Sequence, residues 1–193
     1  MTIFNNKNIG FALTGSYYTF KRTIPYIKKL VDYGANIVPI MSFNAYNINT
    51  RFGNSKEFIE RIEKITSNKI INTFVAAEMI GPKKMIDILV IAPCTGNTIS
   101  KLANGITDTP VLLAVKSNLR NDNNIVIGVS TNDGLSSNAE NIGKLLNRKH
   151  YFFVPFKQDN PITKPRSLTF DFAYLIPTIE HALSNQQIQP LLN

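Results

Sequence analysis

Apolar residues in this chain fall into five nearly unbroken runs, with stripes at helical spacing between them. The runs cover residues 9–13, 37–41, 86–92, 125–129 and 151–154. They are rich in β-branched side chains and lack the in–out alternation of a half-exposed strand, so they read as strands buried on both faces. Between them, Ile24, Ile27, Leu30 and Val31 share one face of a helix predicted over 18–33, with Pro25 near its start and Gly34 as its C-terminal cap. Asn54-Ser55-Lys56-Glu57 has capping-box spacing ahead of Phe58, Ile62 and Ile65. Further helices are expected over 98–104, from Pro110 to residue 119 with the proline at its first position, over 139–146 and over 170–183. Residues 42–53 read as irregular and 70–80 as a strand or turn leading to a short helix. Residues 155–166 read as a proline-rich loop and 186–193 as a loose tail.

Strands alternating with helices predict one α/β domain over 1–193, an open doubly wound parallel sheet with helices on both faces, that is, a Rossmann-like three-layer sandwich. Ligands in such sheets sit beyond the carboxyl ends of the strands. Small polar segments follow four runs: Thr14-Gly15-Ser16, Ser42-Phe43-Asn44, Thr95-Gly96-Asn97-Thr98 and Ser130-Thr131-Asn132-Asp133. The third is the most telling, because an apolar strand, a proline and a polar turn lead straight into a helix N-terminus, where free N–H groups and the helix dipole favour an anion. Thr14, Gly15, Ser16, Ser42, Thr95, Gly96, Asn97, Thr98, Ser130, Thr131 and Asn132 are therefore the candidate cofactor-binding residues, with Gly15 and Gly96 letting a ligand approach the backbone. No Gly-Lys-Ser/Thr follows and Gly10 and Gly15 lack the three-glycine dinucleotide spacing, so a mononucleotide such as FMN suits the rim better than a dinucleotide. The plain alternative is four ordinary strand-end turns with Ser and Thr capping helices.

Composition narrows the classes. The 193 residues are 44% hydrophobic, enough for a full core, and no apolar stretch is long enough to span a membrane. The N-terminus lacks signal-peptide layout and Cys94 is the single cysteine, which together predict a reduced, cytoplasmic protein. The net charge of +8 is spread thinly, with no zinc spacing and no dense basic stripe, so neither nucleic acid nor membrane is an expected partner and no metal site is expected. Cys94 reads as a structural residue, because His150 and His181 lie away from the strand carboxyl ends, and no catalytic residue is assigned. Arg51 could clamp a carboxylate in bidentate fashion, and Lys157 lies in the proline-rich loop with Lys164 and Arg166 as a second substrate-binding candidate.

The run Ala92-Pro93-Cys94-Thr95-Gly96-Asn97-Thr98, followed by Lys101, Ala103, Gly105 and Asp108, resembles the flavoprotein family, which includes FMN-dependent cysteine decarboxylases. That family usually has Ser-Ala where this chain has Thr95-Gly96, and its first glycine loop matches Thr14-Gly15-Ser16. Adding Gly10 to Leu13, Asn49 to Gly53, Ser130 to Leu135 and Val154 to Pro161, the chain resembles the dipicolinate synthase B-subunit family over nearly its whole length. The resemblance implies a two-subunit enzyme of a sporulating bacterium, in the mother-cell cytoplasm, that oxidises dihydrodipicolinate to dipicolinate. It implies NADP held by a partner chain, the A subunit of dipicolinate synthase, together with a small anionic dicarboxylate substrate, FMN as a candidate on this chain, and a homo-oligomer. The decarboxylases' Pro-x-Met-Asn-x-x-Met-Trp segment has no counterpart, since the chain has no tryptophan, and their catalytic histidine has no match. An independent FMN-binding decarboxylase or reductase and a non-catalytic partner of the A subunit are the alternatives.

Overall fold

The computed structural model describes residues 2–192. Its strands are β1 (Asn8–Leu13), β2 (Asn36–Met41), β3 (Ile88–Cys94), β4 (Asn124–Thr131), β5 (Tyr151–Phe153), β6 (Phe156–Lys157) and β7 (Leu168–Phe170). The helices are α1 (Phe20–Asp32), α2 (Phe43–Asn47), α3 (Ser55–Thr66), α4 (Phe74–Glu78), α5 (Gly96–Ala103), α6 (Pro110–Leu119), α7 (Ala139–Leu146) and α8 (Leu175–Leu183).

The strands form one sheet in the order β2-β1-β3-β4, with β5 parallel to the first half of β4. Ile9 sits opposite Ile37 on one side and Ile88 on the other, and Val90 opposite Val126. Two apolar cores lie on the two faces. Phe11, Leu13, Ile37, Val90 and Val126 pack under α1, α3 and α8, while Ala12, Ile40, Leu89, Ile91 and Ile127 pack under α5, α6 and α7. Each fully buried Ile, Leu or Phe contributes about 1.5–3 kcal/mol, which is why runs apolar on both faces sit at the centre of the sheet. Pro39 is tolerated because β2 is an edge strand, met on its outer side by no strand but by the bridge from Ile40 to Ile71 and by Asn68 Nδ2, which donates to Ile37 C=O at 2.7 Å.

The sheet is mixed, not purely parallel. β6 and β7 form an antiparallel pair, and β7 continues the β5 side of β4 through Ser130 and Thr131. The predicted loop over 155–166 therefore contains a strand, and the helix expected from residue 170 starts only at Leu175, after β7 and a 3-10 turn at Phe172–Tyr174. Two- and three-residue strands next to prolines leave no periodic trace in sequence.

The tail is also held down. The Gln187 amide accepts from Phe153 N–H (2.8 Å) and donates to Phe153 C=O (2.7 Å), Phe156 N–H donates to Leu191 C=O (2.8 Å), and Ile188 is buried. One side chain thus covers the free edge of β5. The segment 42–53 is not wholly irregular, since Ser42 caps α2 by accepting from Ala45 N–H at 3.3 Å. Pro25 lies well inside α1 and not near its start, at an exposed turn where water can satisfy the Lys21 carbonyl that proline leaves without a donor. Gly34 has φ +91° and ends α1 as expected.

Candidate functional site

The carboxyl ends of β1, β2, β3 and β4 bring the four polar segments to one rim around two adjoining cavities. The first has a volume of about 470 Å³ and is lined by Thr14, Gly15, Ser42, Phe43, Asn44, Thr95, Asn97, Thr98, Lys101, Asp108, Thr109 and Leu112. The second, about 240 Å³, is lined by Gly15, Ser16, Tyr17, Tyr18, Phe52, Thr95, Ser130, Thr131 and Asn132. Gly15 and Thr95 form the wall common to both. The first volume lies in the range of ordinary small-molecule sites.

Hydrogen bonds between the segments fix the rim. The buried Thr14 hydroxyl donates to Pro93 C=O (2.8 Å) and accepts from Thr95 N–H (2.9 Å), tying the end of β1 to the turn that opens α5. Ser16 Oγ and Ser130 Oγ share a hydrogen bond of 2.8 Å, and the Tyr18 hydroxyl lies 3.2 Å from Ser130 Oγ, so three hydroxyls join β1 to β4. The Tyr17 hydroxyl donates to Asn44 C=O at 2.8 Å. Burial pushes that phenol above its ordinary pKa, which keeps it a donor.

A bulge in β3 sets where α5 begins. Ile91 pairs with Ile127 but Cys94 with Val129, so β3 has one residue more than its partner. Helix α5 starts at Gly96, two residues before the sequence expectation, and Thr95 makes no side-chain cap bond there. By contrast Ser42, Asn54, Thr73 and Thr109 each cap their helices through a side-chain oxygen. Asn97 is exposed at this uncapped first turn, and the Thr95 and Thr98 hydroxyls lie 3.1 Å apart.

Gly96 has a different task from the one its sequence context suggests. A Cβ built there would lie 2.5 Å from Asn138 Nδ2, 2.5 Å from Thr131 Oγ1 and 2.6 Å from Asp133 Oδ1. The space that a ligand was expected to use is filled by the chain's own side chains, and Gly96 lines neither cavity. Asp133 is the centre of that cluster, accepting from Thr131 Oγ1 (2.5 Å), Asn138 Nδ2 (2.8 Å) and Ser137 Oγ (3.1 Å). Burial alone would raise its carboxyl pKa, but the three donors outweigh burial and hold it below the ordinary carboxylate value. Asp133 is thus a fixed anion that braces the β4 turn against α5, and not a proton acceptor poised near neutrality. Gly15 is the open glycine of the rim: the atoms nearest to a Cβ there would belong to Tyr17 and Asn44, at 3.6–3.9 Å, ordinary contact distances.

Neither substrate-binding candidate lines either cavity. Arg51 is exposed with its guanidinium 4.9 Å from the ring centre of Phe52, and it is Phe52 that lines the second cavity. Lys157 pairs with Asp171 at 3.3 Å on β6 and lines neither cavity. The cation in the first cavity is Lys101, bound to Asp108 at 2.6 Å; both belong to the family motif read in the sequence, which gave neither a binding role. Cys94 is fully buried and burial pushes its thiol far up, so it stays protonated. Among the described residues no group of three or more His, Cys, Asp or Glu is placed to hold a metal, and no helix is long and apolar enough to cross a membrane.

The fold has known counterparts. The Flavoprotein family model matches residues 3–166. The B subunit of dipicolinate synthase from Bacillus subtilis (strain 168) is 46% identical over 192 residues, spanning 100% of this chain and 96% of that protein. The crystal structure of the dipicolinate synthase B subunit from Bacillus halodurans C superposes with a TM-score of 0.91 at 45% identity, covering 100% of this chain and 98% of that one. Burkholderia xenovorans DmrB in complex with FMN has a TM-score of 0.69 at 18% identity, with 93% of this chain and 96% of that chain covered, a likeness of fold alone.

Proposed function

The chain belongs to the flavoprotein family and, within it, to the dipicolinate synthase B-subunit family, and from that premise we propose that it is the B subunit of a two-subunit oxidoreductase whose rim holds an anionic pyridine dicarboxylate precursor. The observation that supports this reading most is the convergence of four hydroxyl- and amide-bearing turns on two adjoining cavities, beside a helix N-terminus without a side-chain cap.

In this reading oxidation of dihydrodipicolinate to the aromatic ring removes a hydride from a ring carbon and a proton, and a nicotinamide would supply the hydride acceptor. The driving force is internal to the substrate, so this chain's work is to bind and orient. Two carboxylates need donors. The first turn of α5 with Asn97, the hydroxyls of Ser16, Ser42, Thr95, Thr98 and Ser130, and the Arg51 guanidinium beside Phe52 would supply them. Lys101 is neutralised by Asp108 and therefore adds a donor more than a net charge. The nicotinamide would be held by the A subunit, because this chain has no three-glycine dinucleotide turn.

The flavin of the fold relatives is compatible with these residues. Gly15 leaves open space, and Tyr18 and Phe52 line the cavity next to the polar turns. In that alternative Gly15, Ser16, Thr95, Asn97 and Thr98 would hold the phosphate and polyol in place of the dicarboxylate. A bound FMN would supply a two-electron redox centre.

The reading is tested on the purified A and B subunits together. Asn97→Ala removes one hydrogen bond to a charged group, about 1.5 kcal/mol, or roughly a tenfold rise in KM. Arg51→Ala is expected to raise KM as well. Unchanged KM and kcat in both variants would remove these assignments.

A further inference from the structure

The mouth of the rim is bordered by exposed rings. Phe43, which lines the first cavity, packs on Phe74 with ring centres 5.8 Å apart, and the two are 38% and 41% exposed. Val75, next along α4, is 76% exposed. On the other side Tyr18 and Phe52, both lining the second cavity, have ring centres 6.2 Å apart and are 40% and 37% exposed. Scattered exposed apolar residues need no explanation, but aromatic pairs on both lips of a polar site do.

Resting on the function proposed above, we infer that the Phe43–Phe74–Val75 lip is the docking surface for the protein chain that carries the nicotinamide dinucleotide. Hydride transfer requires the donor and acceptor carbons to approach to about 3–3.5 Å. If the substrate lies against Gly15, Thr95 and Asn97, the acceptor ring must enter through the mouth these aromatics surround. The surface that presents it must then rest on them. Charge fits the same occupant. Asn132 of the second cavity also borders a shallow hollow with Lys164 and Arg166. Arg166 belongs to none of the ion pairs among the described residues, so this hollow carries a cation able to meet an anionic cofactor. An apolar anchor on one lip and a cation on the other suit a protein face bearing an anionic cofactor.

The test is Val75→Glu, a change at an exposed position outside both cavities, read by titrating the partner chain into this one with its dinucleotide present. Association is expected to weaken about tenfold or more. Turnover should fall at limiting partner and recover at excess, and dipicolinate binding to the isolated chain should be unchanged. Phe74→Ser should behave alike. Association and turnover equal to the native chain's in both variants would overturn the inference. So would a change confined to self-association of the isolated chain, which would make the lip a contact between copies. Failure of the function proposal is a separate result: the native isolated chain would not bind dipicolinate at the rim at all.

Discussion

Replacing Thr14 by valine nearly preserves the side chain's shape and removes one hydroxyl from the point where β1 meets the α5 turn. That hydroxyl donates to Pro93 C=O at 2.8 Å and accepts from Thr95 N–H at 2.9 Å, at a residue 1% exposed. Pro93 C=O keeps a partner, because Thr14 N–H also donates to it at 3.2 Å. Thr95 N–H does not. The loss is one net hydrogen bond, about 1 kcal/mol, plus roughly 1–2 kcal/mol for a partly buried donor without a partner. For a chain of this length about 2–3 kcal/mol corresponds to a melting temperature lower by roughly 5–10 °C. Thr14→Ser keeps the hydroxyl and should lose much less. Thermal melts of the two variants and the native chain, each with and without dipicolinate, separate the outcomes. The valine variant should melt lower and gain less from the ligand, since the Thr95–Asn97 turn is no longer pinned. A valine variant that melts with the native chain and binds equally well would show that the bridge does not organise the rim.

Gly96→Ala places a methyl group against Thr131, Asp133 and Asn138 and should cost about 1–3 kcal/mol in urea unfolding, whereas Gly15→Ala should leave stability unchanged and weaken ligand binding, because its methyl enters open rim space; equal stability losses in the two would contradict this. Asp133→Asn should be destabilising at neutral pH. The native carboxyl is held below its ordinary pKa, so its contribution is present above the unfolded value of about 3.9 and is lost as pH falls through the lower folded value. The stability gap between native and variant should therefore close on acidification below about pH 4, and a gap independent of pH would sink the claim that the cluster holds an anion.

The strands that build the sheet were readable because burial on both faces demands unbroken apolar runs, and the rim followed from topology once four such runs ended in Thr14, Ser42, Thr95 and Ser130. What sequence could not show was how the turns use one another. Gly96 looked like a place for a ligand because its competitor for that space, Asp133, lies 37 positions away on another turn. Thr14 looked like a ligand contact, and its hydroxyl is consumed inside the fold. β6, β7 and the Gln187 clasp on Phe153 left no periodic signal, being too short or made by one side chain. The aromatic lip joins Phe43 and Phe74 across 31 positions, and only the fold puts them side by side.

The central claim is that the strand-end turns form one cradle for an anionic small molecule. Titrating dipicolinate into the isotopically labelled chain and following backbone amide shifts tests it most directly. The account predicts that the largest shifts fall on Gly15, Ser16, Thr95, Asn97 and Thr98, with Ser130 following. Shifts that leave these amides still and gather instead at the hollow lined by Ile106, Val115 and Tyr151 would contradict it.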